Sequence, residues 1–272
     1  MIISVSRRSD VPRFYWDWFL GELERGETVV VNPFNTRQVK KVSLLSQDVD
    51  GFVFWTREPY RIRESAGMLL ERGYQFYVMV SLTGYPAIFE PQAPPLDRII
   101  DDLHRLSACI GSERVFWRYD PILLSSLTSE HYHVEQFQFL AGALATAVGR
   151  CIVSLYDPYA KSDKRLRALE TERLVEIYPL YKERRYVVPE AVNLLGRLAD
   201  IAHQYRIPIY SCAEPDGLVS YGILPHACVD GSLFGLKKEK DPHQRSFCRC
   251  DRSIDIGRYG TCPARCLYCY AW

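Results

Sequence analysis

A chain of 272 residues with 47% apolar and 25% charged residues carries enough apolar material for one sizeable core and no compositional sign of disorder or a fibre. Its 34 Lys and Arg against 33 Asp and Glu leave a net charge of +1, which excludes the broad positive field of a non-specific nucleic-acid binder. No run approaches the roughly eighteen apolar residues of a membrane span, and the apolar start, with its arginines after it, is too short for an export signal. A cytoplasmic protein with reduced thiols and no membrane partner is therefore expected.

Short β-branched or aromatic runs alternate with amphipathic segments, the pattern of βα units around a parallel sheet. The first strand, Ile2–Ser6, leads to Arg7, Arg8, Ser9 and Asp10; Pro12 then opens a helix to Glu24 that Gly26 ends. Thr28–Val31 reads as the second strand, running into Asn32 and Asn35, with a weakly helical stretch over Ser43–Asp50. Phe52–Trp55 is the third strand, ending at Thr56 and Arg57, and a helix over Tyr60–Arg72 follows. Gln75–Leu82 is the fourth, ending at Thr83. The Pro-rich stretch Pro86–Pro95 reads as a surface loop.

Asp97–Ala108 has helical periodicity, and Arg114–Arg118 is the fifth strand, running into Tyr119, Asp120 and Pro121. Ser129–Val148 carries Phe137, Leu140, Leu144 and Val148 on one helical stripe. Cys151–Leu155 is the sixth strand, giving way to Asp157, and helices over Lys164–Tyr181 and Pro189–Tyr205 precede the seventh, Ile207–Ser211, which ends at Cys212 and Glu214. The expected fold is a single parallel βα barrel, TIM-like or partial, over residues 1–222. Residues 223–272 form a cysteine-rich tail packed on the C-terminal face of the strands, in one structural unit.

In a parallel βα barrel the C-terminal strand ends open on one face, and that face carries the chemistry. Arg118, Asp120, Asp157, Glu214, Arg7 and Asp10 are accordingly candidate catalytic residues, and Asn32, Asn35, Thr56, Thr83, Arg8 and Tyr268 candidates for binding a cofactor. Any one of them alone also serves as a helix cap or turn residue. Histidine offers little for a rival metallohydrolase, because His104, His131, His133 and His203 fall on predicted helices.

Five of the nine cysteines lie in the final tenth of the chain. Cys262, Cys266 and Cys269 are spaced Cys-x3-Cys-x2-Cys, and Tyr268 directly precedes the last. Three thiolates on one tight loop hold three irons of a [4Fe-4S] cluster and leave the fourth iron open to a substrate or a small chelating cofactor. Zinc fits this spacing poorly, since structural zinc usually takes two Cys-x2-Cys pairs or added histidines. Cys212, Cys228, Cys248 and Cys250 allow a second metal centre, such as a second iron–sulfur cluster, or read as ordinary buried thiols. Cys109 and Cys151 read as core.

The tail resembles the cluster-binding loop of radical S-adenosylmethionine enzymes. That resemblance implies a [4Fe-4S] cluster, S-adenosylmethionine chelating its free iron, and an electron donor. Here the loop follows the last strand instead of the first, and the chain has no Gly-Gly pair of the kind that holds the cofactor's amino group. Over nearly its full length the chain resembles an uncharacterised bacterial domain-of-unknown-function family with such a cysteine cluster at its C-terminus. The matching stretches are Ile3–Asp10, Val31–Asn35, Phe54–Thr56, Trp117–Ile122, Cys212–Glu214 and the tail from Asp255. Arg118–Ile122 with Cys269 and Tyr270 also look like segments of the spore photoproduct lyase branch, which implies Arg118 and Asp120 near the cofactor or substrate. It raises nucleic acid beside a small molecule as the substrate. Two other classes stay open: an iron–sulfur electron carrier or redox sensor with fully ligated irons, and a zinc-clasped barrel.

Overall fold

The computed structural model describes residues 1–182, 186–245 and 247–272. The chain starts with β1 (Ile2–Val5) and two helices, α1 (Val11–Phe14) and α2 (Trp16–Arg25). Asp10 caps α1 by accepting from the Arg13 N–H, and Pro12 sits in the first turn, where a missing N–H costs nothing. Gly26 ends α2 at φ 71°, a left-handed position that favours glycine.

The next segment corrects two expectations. β2 (Glu27–Asn32) does not join the parallel sheet but pairs antiparallel with β3 (Asn35–Ser43), and residues 44–50, read from the sequence as weakly helical, form a turn and no helix. The pair forms a separate two-stranded ribbon. Asn32 and Asn35 therefore flank its exposed turn, with Asn32 Nδ2 donating to Gln38 Oε1 at 2.7 Å, and neither lies at a strand end of the main sheet.

From there strands and helices alternate: β4 (Gly51–Thr56), α3 (Tyr60–Glu71), β5 (Phe76–Ser81), α4 (Leu96–Ile110), β6 (Val115–Ile122), α5 (Glu130–Leu144) and β7 (Arg150–Leu155). After α6 (Ala160–Thr171) come a short ribbon of β8 (Tyr181–Lys182) and β9 (Tyr186–Val187), then α7 (Pro189–Gln204) and β10 (Ile209–Ser211). Two-residue strands, β11 (Leu224–Pro225) and β12 (Ile254–Asp255), complete the main sheet from within the stretch expected as tail.

The result is a mixed α/β protein with seven helices and an eight-stranded parallel sheet among the described residues, ordered β11-β10-β7-β6-β5-β4-β1-β12. No ladder joins β11 to β12 among those residues. Across that seam the Asp251 N–H donates to the Val229 carbonyl at 2.9 Å.

Alternation along each strand feeds two separate cores, as a sheet buried on both faces requires. Phe52, Phe54, Phe76, Val78, Trp117 and Val153 point to the helices, where Phe19 packs edge-on against Phe52 and Phe54 and Trp117 stacks on Phe137 at 4.7 Å. Val53, Trp55, Tyr77, Met79, Phe116 and Ile152 point the other way, into a core that the chain after β11 completes with Cys228, Val229 and Cys250. Gly51 is needed at the start of β4, because a Cβ there would meet the Phe234 ring at 2.2 Å while that ring stacks on Tyr77. Among the described residues no helix is long and apolar enough to cross a membrane.

Candidate functional site

The chain following β1 is tied to the chain at β12 by one carboxylate. Asp255, buried, accepts from Ser4 Oγ at 2.9 Å, Ser6 Oγ at 2.5 Å and the Arg7 N–H at 2.9 Å. Arg7 Nε lies 3.6 Å from the same carboxylate and Arg8 Nε 4.0 Å. Arg8 also lies over the Tyr259 ring. Arg7 and Arg8 thus do stand at a strand end, held by a residue that the sequence reading did not select.

Asp10, besides capping α1, accepts from the Arg57 N–H at 2.9 Å, so its two oxygens serve backbone after β1 and after β4. Thr56 closes a local turn, donating to the Glu58 carbonyl at 3.0 Å. Asp10 thus serves as a helix cap and Thr56 as a turn residue.

The strongest polar assembly is at the ends of β4 and β5. Glu90, from the expected surface loop, is buried and takes both guanidinium nitrogens of Arg57, at 2.8 and 2.7 Å, together with Thr83 Oγ1 at 2.6 Å and the Tyr268 hydroxyl. Arg57 also donates to the Tyr268 hydroxyl. Burial opposes the Arg57 charge, but Glu90 with Tyr268 and Cys266 together outweigh it and the guanidinium pKa is raised; burial pushes the Tyr268 phenol up. Thr83 and Tyr268 are therefore brought together, and Arg57 with Glu90 is what joins them.

On the inner face of the sheet Arg118 pairs with Asp120 and lies 4.9 Å from the centre of the Trp55 ring. Asp120 also accepts from Ser154 on β7. The Trp55 Nε1 and Arg118 Nε donors are both buried without a protein partner. Asp157 pairs with Arg245, from the chain after β11. Glu214 stands apart, accepting from the Leu155 N–H at 2.9 Å and Tyr181 Oη at 2.8 Å, and burial lifts its carboxyl to about 7.

The thiols fall into two groups. Cys262, Cys266 and Cys269 share one loop, where Arg265 takes a left-handed φ of 51° and the Cys269 N–H donates to the Cys266 carbonyl at 3.0 Å. Arg165 of α6 donates to the carbonyls of Leu267 at 3.0 Å, Trp272 at 2.9 Å and Cys269, and Trp272 Nε1 donates to the Cys266 carbonyl at 2.8 Å. Burial pushes the Cys266 thiol up to about 11, with Arg57 acting downward and Cys269 and Cys262 upward, so the three sulfurs feel one another. A cleft of about 460 Å³ lined by Gln92, Thr261, Cys262, Arg265 and Trp272 opens beside them. The larger surface cleft, about 540 Å³ between α7 and residues 220–222, holds none of the thiols.

The second group lies in the inner core. Cys212 and Cys228 have their sulfurs 3.0 Å apart, while Cys228 and Cys248 both hydrogen-bond Cys250. Hydrogen bonds from those two neighbours hold Cys250 down; Cys228 is held up by its bond to Cys212 first and then by Cys250, and Cys248 by Cys250. No set of three or more His, Cys, Asp or Glu among the described residues stands as a ready metal-holding group. All nine cysteines are free thiols; Cys151 is buried as expected, but Cys109 is exposed on α4, which corrects its reading as a core residue.

Fold and site together define a parallel βα-sheet protein whose strand ends gather arginine–carboxylate pairs beside two thiol groups. The chain belongs to the DUF1848 family, a domain of unknown function whose model matches residues 2–271. No curated protein matches it. Among solved structures it is similar to a deoxyribose phosphate aldolase from Aeropyrum pernix, described as having a unique tetrameric structure. The identity is 11% over 67% of this chain and 75% of that one, with a TM-score of 0.27, an overlap that carries no argument about fold or activity.

Proposed function

We propose that the chain is an iron–sulfur enzyme of the radical S-adenosylmethionine type, with Cys262, Cys266 and Cys269 as the ligands of a [4Fe-4S] cluster. The observation that supports it best is that one loop carries all three thiols, its carbonyls gathered by Arg165 and Trp272, with Cys262 lining an open cleft. The donor set fits the group, since thiolates are the ligands of such clusters; burial holds the Cys266 and Cys269 thiols up, with Arg57 acting against it at both and Arg165 at Cys269. Glu90, the carboxylate that acts on Cys266, is already engaged by Arg57, Thr83 and Tyr268, so it does not compete for iron.

When bound, such a cluster supplies one electron for reductive cleavage of S-adenosylmethionine. The chain's own part is to bind, orient and exclude water. The tail contacts the ends of β1, β4, β5 and α6 through Tyr270 to the Arg7 carbonyl, Tyr268, the Leu267 N–H to the Phe89 carbonyl, and Arg165. In this reading it roofs the C-terminal face of a barrel-like sheet, and the unpartnered Trp55 and Arg118 donors below it bind the substrate's acceptor groups. Arg118–Asp120 and Arg245–Asp157 give that space exchangeable cations for a small molecule or a nucleotide with an anionic group. Asp10 and Glu214 act by holding backbone, and Arg7 and Arg8 by holding Asp255. A reducing compartment, the cytoplasm, and a protein electron donor complete the reading.

Anaerobically purified protein is expected to be brown, with about four irons and four sulfides on the tail site. Its reduced paramagnetic resonance signal is expected to change on addition of S-adenosylmethionine, and Cys266→Ala to lose the iron. An unchanged signal would move the protein to the electron-carrier class, and a colourless protein would remove the iron–sulfur reading altogether.

A further inference from the structure

We infer that Cys212, Cys228, Cys248 and Cys250 form a second, closed site for one tetrahedral divalent metal ion, zinc by preference, which fastens the open seam of the sheet. The inference is independent of the cluster proposed for the tail, because it uses none of its ligands.

All four side chains are buried: Cys212 is 8% exposed, Cys228 1%, Cys248 5% and Cys250 3%. Their contacts run in series, Cys212 to Cys228, Cys228 to Cys250 and Cys250 to Cys248. Cys228 thus has two sulfur neighbours, and the four buried sulfurs form one contiguous series. Cys250 is further loaded by the Val229 N–H at 3.4 Å. A divalent ion resolves this crowding by replacing the protons.

Distance separates the kinds of metal centre. Four thiolates on one zinc with bonds of about 2.3 Å stand about 3.8 Å from each other. The Cys212–Cys228 separation of 3.0 Å is about 0.8 Å short of that, within reach of small side-chain rotations. The thiolates of a four-iron cluster stand on separate corners and need a wider cage. A disulfide would need about 2.05 Å, so the pair is a contact and not a bond.

Charge and connectivity agree with a single ion. A zinc ion with four thiolates carries two net negative charges. Arg7 acts on Cys250 and Cys228, and Arg245 on Cys248 and Cys250, each while also paired with a carboxylate, Asp255 and Asp157, so they offset part of that charge. Cys212 directly follows β10, Cys228 follows β11, and Cys248 with Cys250 precedes β12. Those are the strands on either side of the gap in the ladder, otherwise bridged by the Asp251–Val229 hydrogen bond. One ion there closes two long chain loops at once, which is where a metal clip contributes most to folding.

The test loads cobalt(II), a coloured probe, into full-length Cys262→Ala/Cys266→Ala/Cys269→Ala protein. One cobalt per chain is expected, with the absorption of a tetrahedral thiolate site, displaced by one equivalent of zinc, and lost in a background that adds Cys228→Ala and Cys250→Ala. Because that last variant can fail to fold, the unmutated chain is also alkylated with and without zinc: Cys212, Cys228, Cys248 and Cys250 should be protected about tenfold or more, coupled as folding is to metal. No cobalt binding by the variant lacking the tail thiols would overturn the inference. Iron and inorganic sulfide retained by that variant would overturn it too, and so would a Cys212–Cys228 disulfide in protein purified without oxidant. A colourless protein that still binds one cobalt would sink the tail cluster while leaving this site standing.

Discussion

Arg57→Met is expected to cost about 3–5 kcal/mol of folding stability, the range for removing one partner of a buried ion pair. Glu90 is 1% exposed at its side chain and Arg57 11%, so solvent screening takes little from the interaction. Without the guanidinium, Glu90 keeps only Thr83 and Tyr268 as donors, neither of them charged. The carboxylate must then take up a proton or pull water into the end of β5. Tyr268 loses one of its two partners in the same step, and with it the buried anchor of the thiol loop. Urea midpoints give the energy, and amide exchange over residues 266–272 should accelerate more than exchange in β7. The double variant Arg57→Met/Glu90→Leu should recover most of the loss, since it removes the orphaned charge as well as the pair. A loss below about 1 kcal/mol would mean that this assembly behaves like a surface pair and does not hold the tail.

That assembly also shows where sequence reasoning runs out. Thr83 and Tyr268 were legible, one as a polar strand end and the other as the aromatic residue before the last cysteine of the tail motif. Glu90 was not, because it lies in a proline-rich stretch whose composition describes any surface loop. Only the fold brings that stretch under Arg57. Asp255 was missed for a related reason: it belongs to a two-residue strand, too short to show a period, and its partners are about 250 positions away. The βα rhythm from β4 to β7 was legible because both faces of those strands are buried, giving runs such as Phe76–Ser81 that stand out from the helices between them.

The ribbon of β2 and β3 failed for the opposite reason. Val29–Val31 reads like a buried strand, but its partner Asn35–Ser43 is nearly all exposed and carries three basic residues, so no apolar period marks it. Such a ribbon is held by its ladder hydrogen bonds and one buried edge at Thr28 and Val42, which composition does not report. The two cysteine groups show the same division. The tail trio is close in sequence and visible as a motif, whereas the four inner thiols read from the sequence either as a second metal centre or as ordinary buried cysteines, and only the fold puts Cys212 against Cys228.

Acid is expected to expose the energetics of His133, which is fully buried on α5. Its Nε2 lies 3.1 Å from the Leu123 carbonyl, an atom that only accepts, so Nε2 carries the proton and Nδ1 accepts from the Tyr119 hydroxyl at 2.8 Å. The neutral ring is thus satisfied at both nitrogens, and burial holds its pKa down to about 4. An unfolded histidine takes its proton near 6.5, so between those values the unfolded state binds more protons and stability falls with pH. The loss amounts to about 2 kcal/mol at pH 5 and about 3 kcal/mol near pH 4. Glu214, lifted to about 7, works with the opposite sign across much of this window, and His226, held near 4, with the same sign. Burial also raises the Asp10 and Asp102 carboxyls, so a raw stability curve mixes several titrations, but the difference between the parent and His133→Gln isolates one. The variant is expected to be destabilised at pH 7.5 and to recover about 2 kcal/mol of that deficit at pH 5, read from urea unfolding at the two values. A deficit that does not change with pH would mean that His133 is already charged in the folded protein, or that Leu123 and Tyr119 do not hold its neutral form.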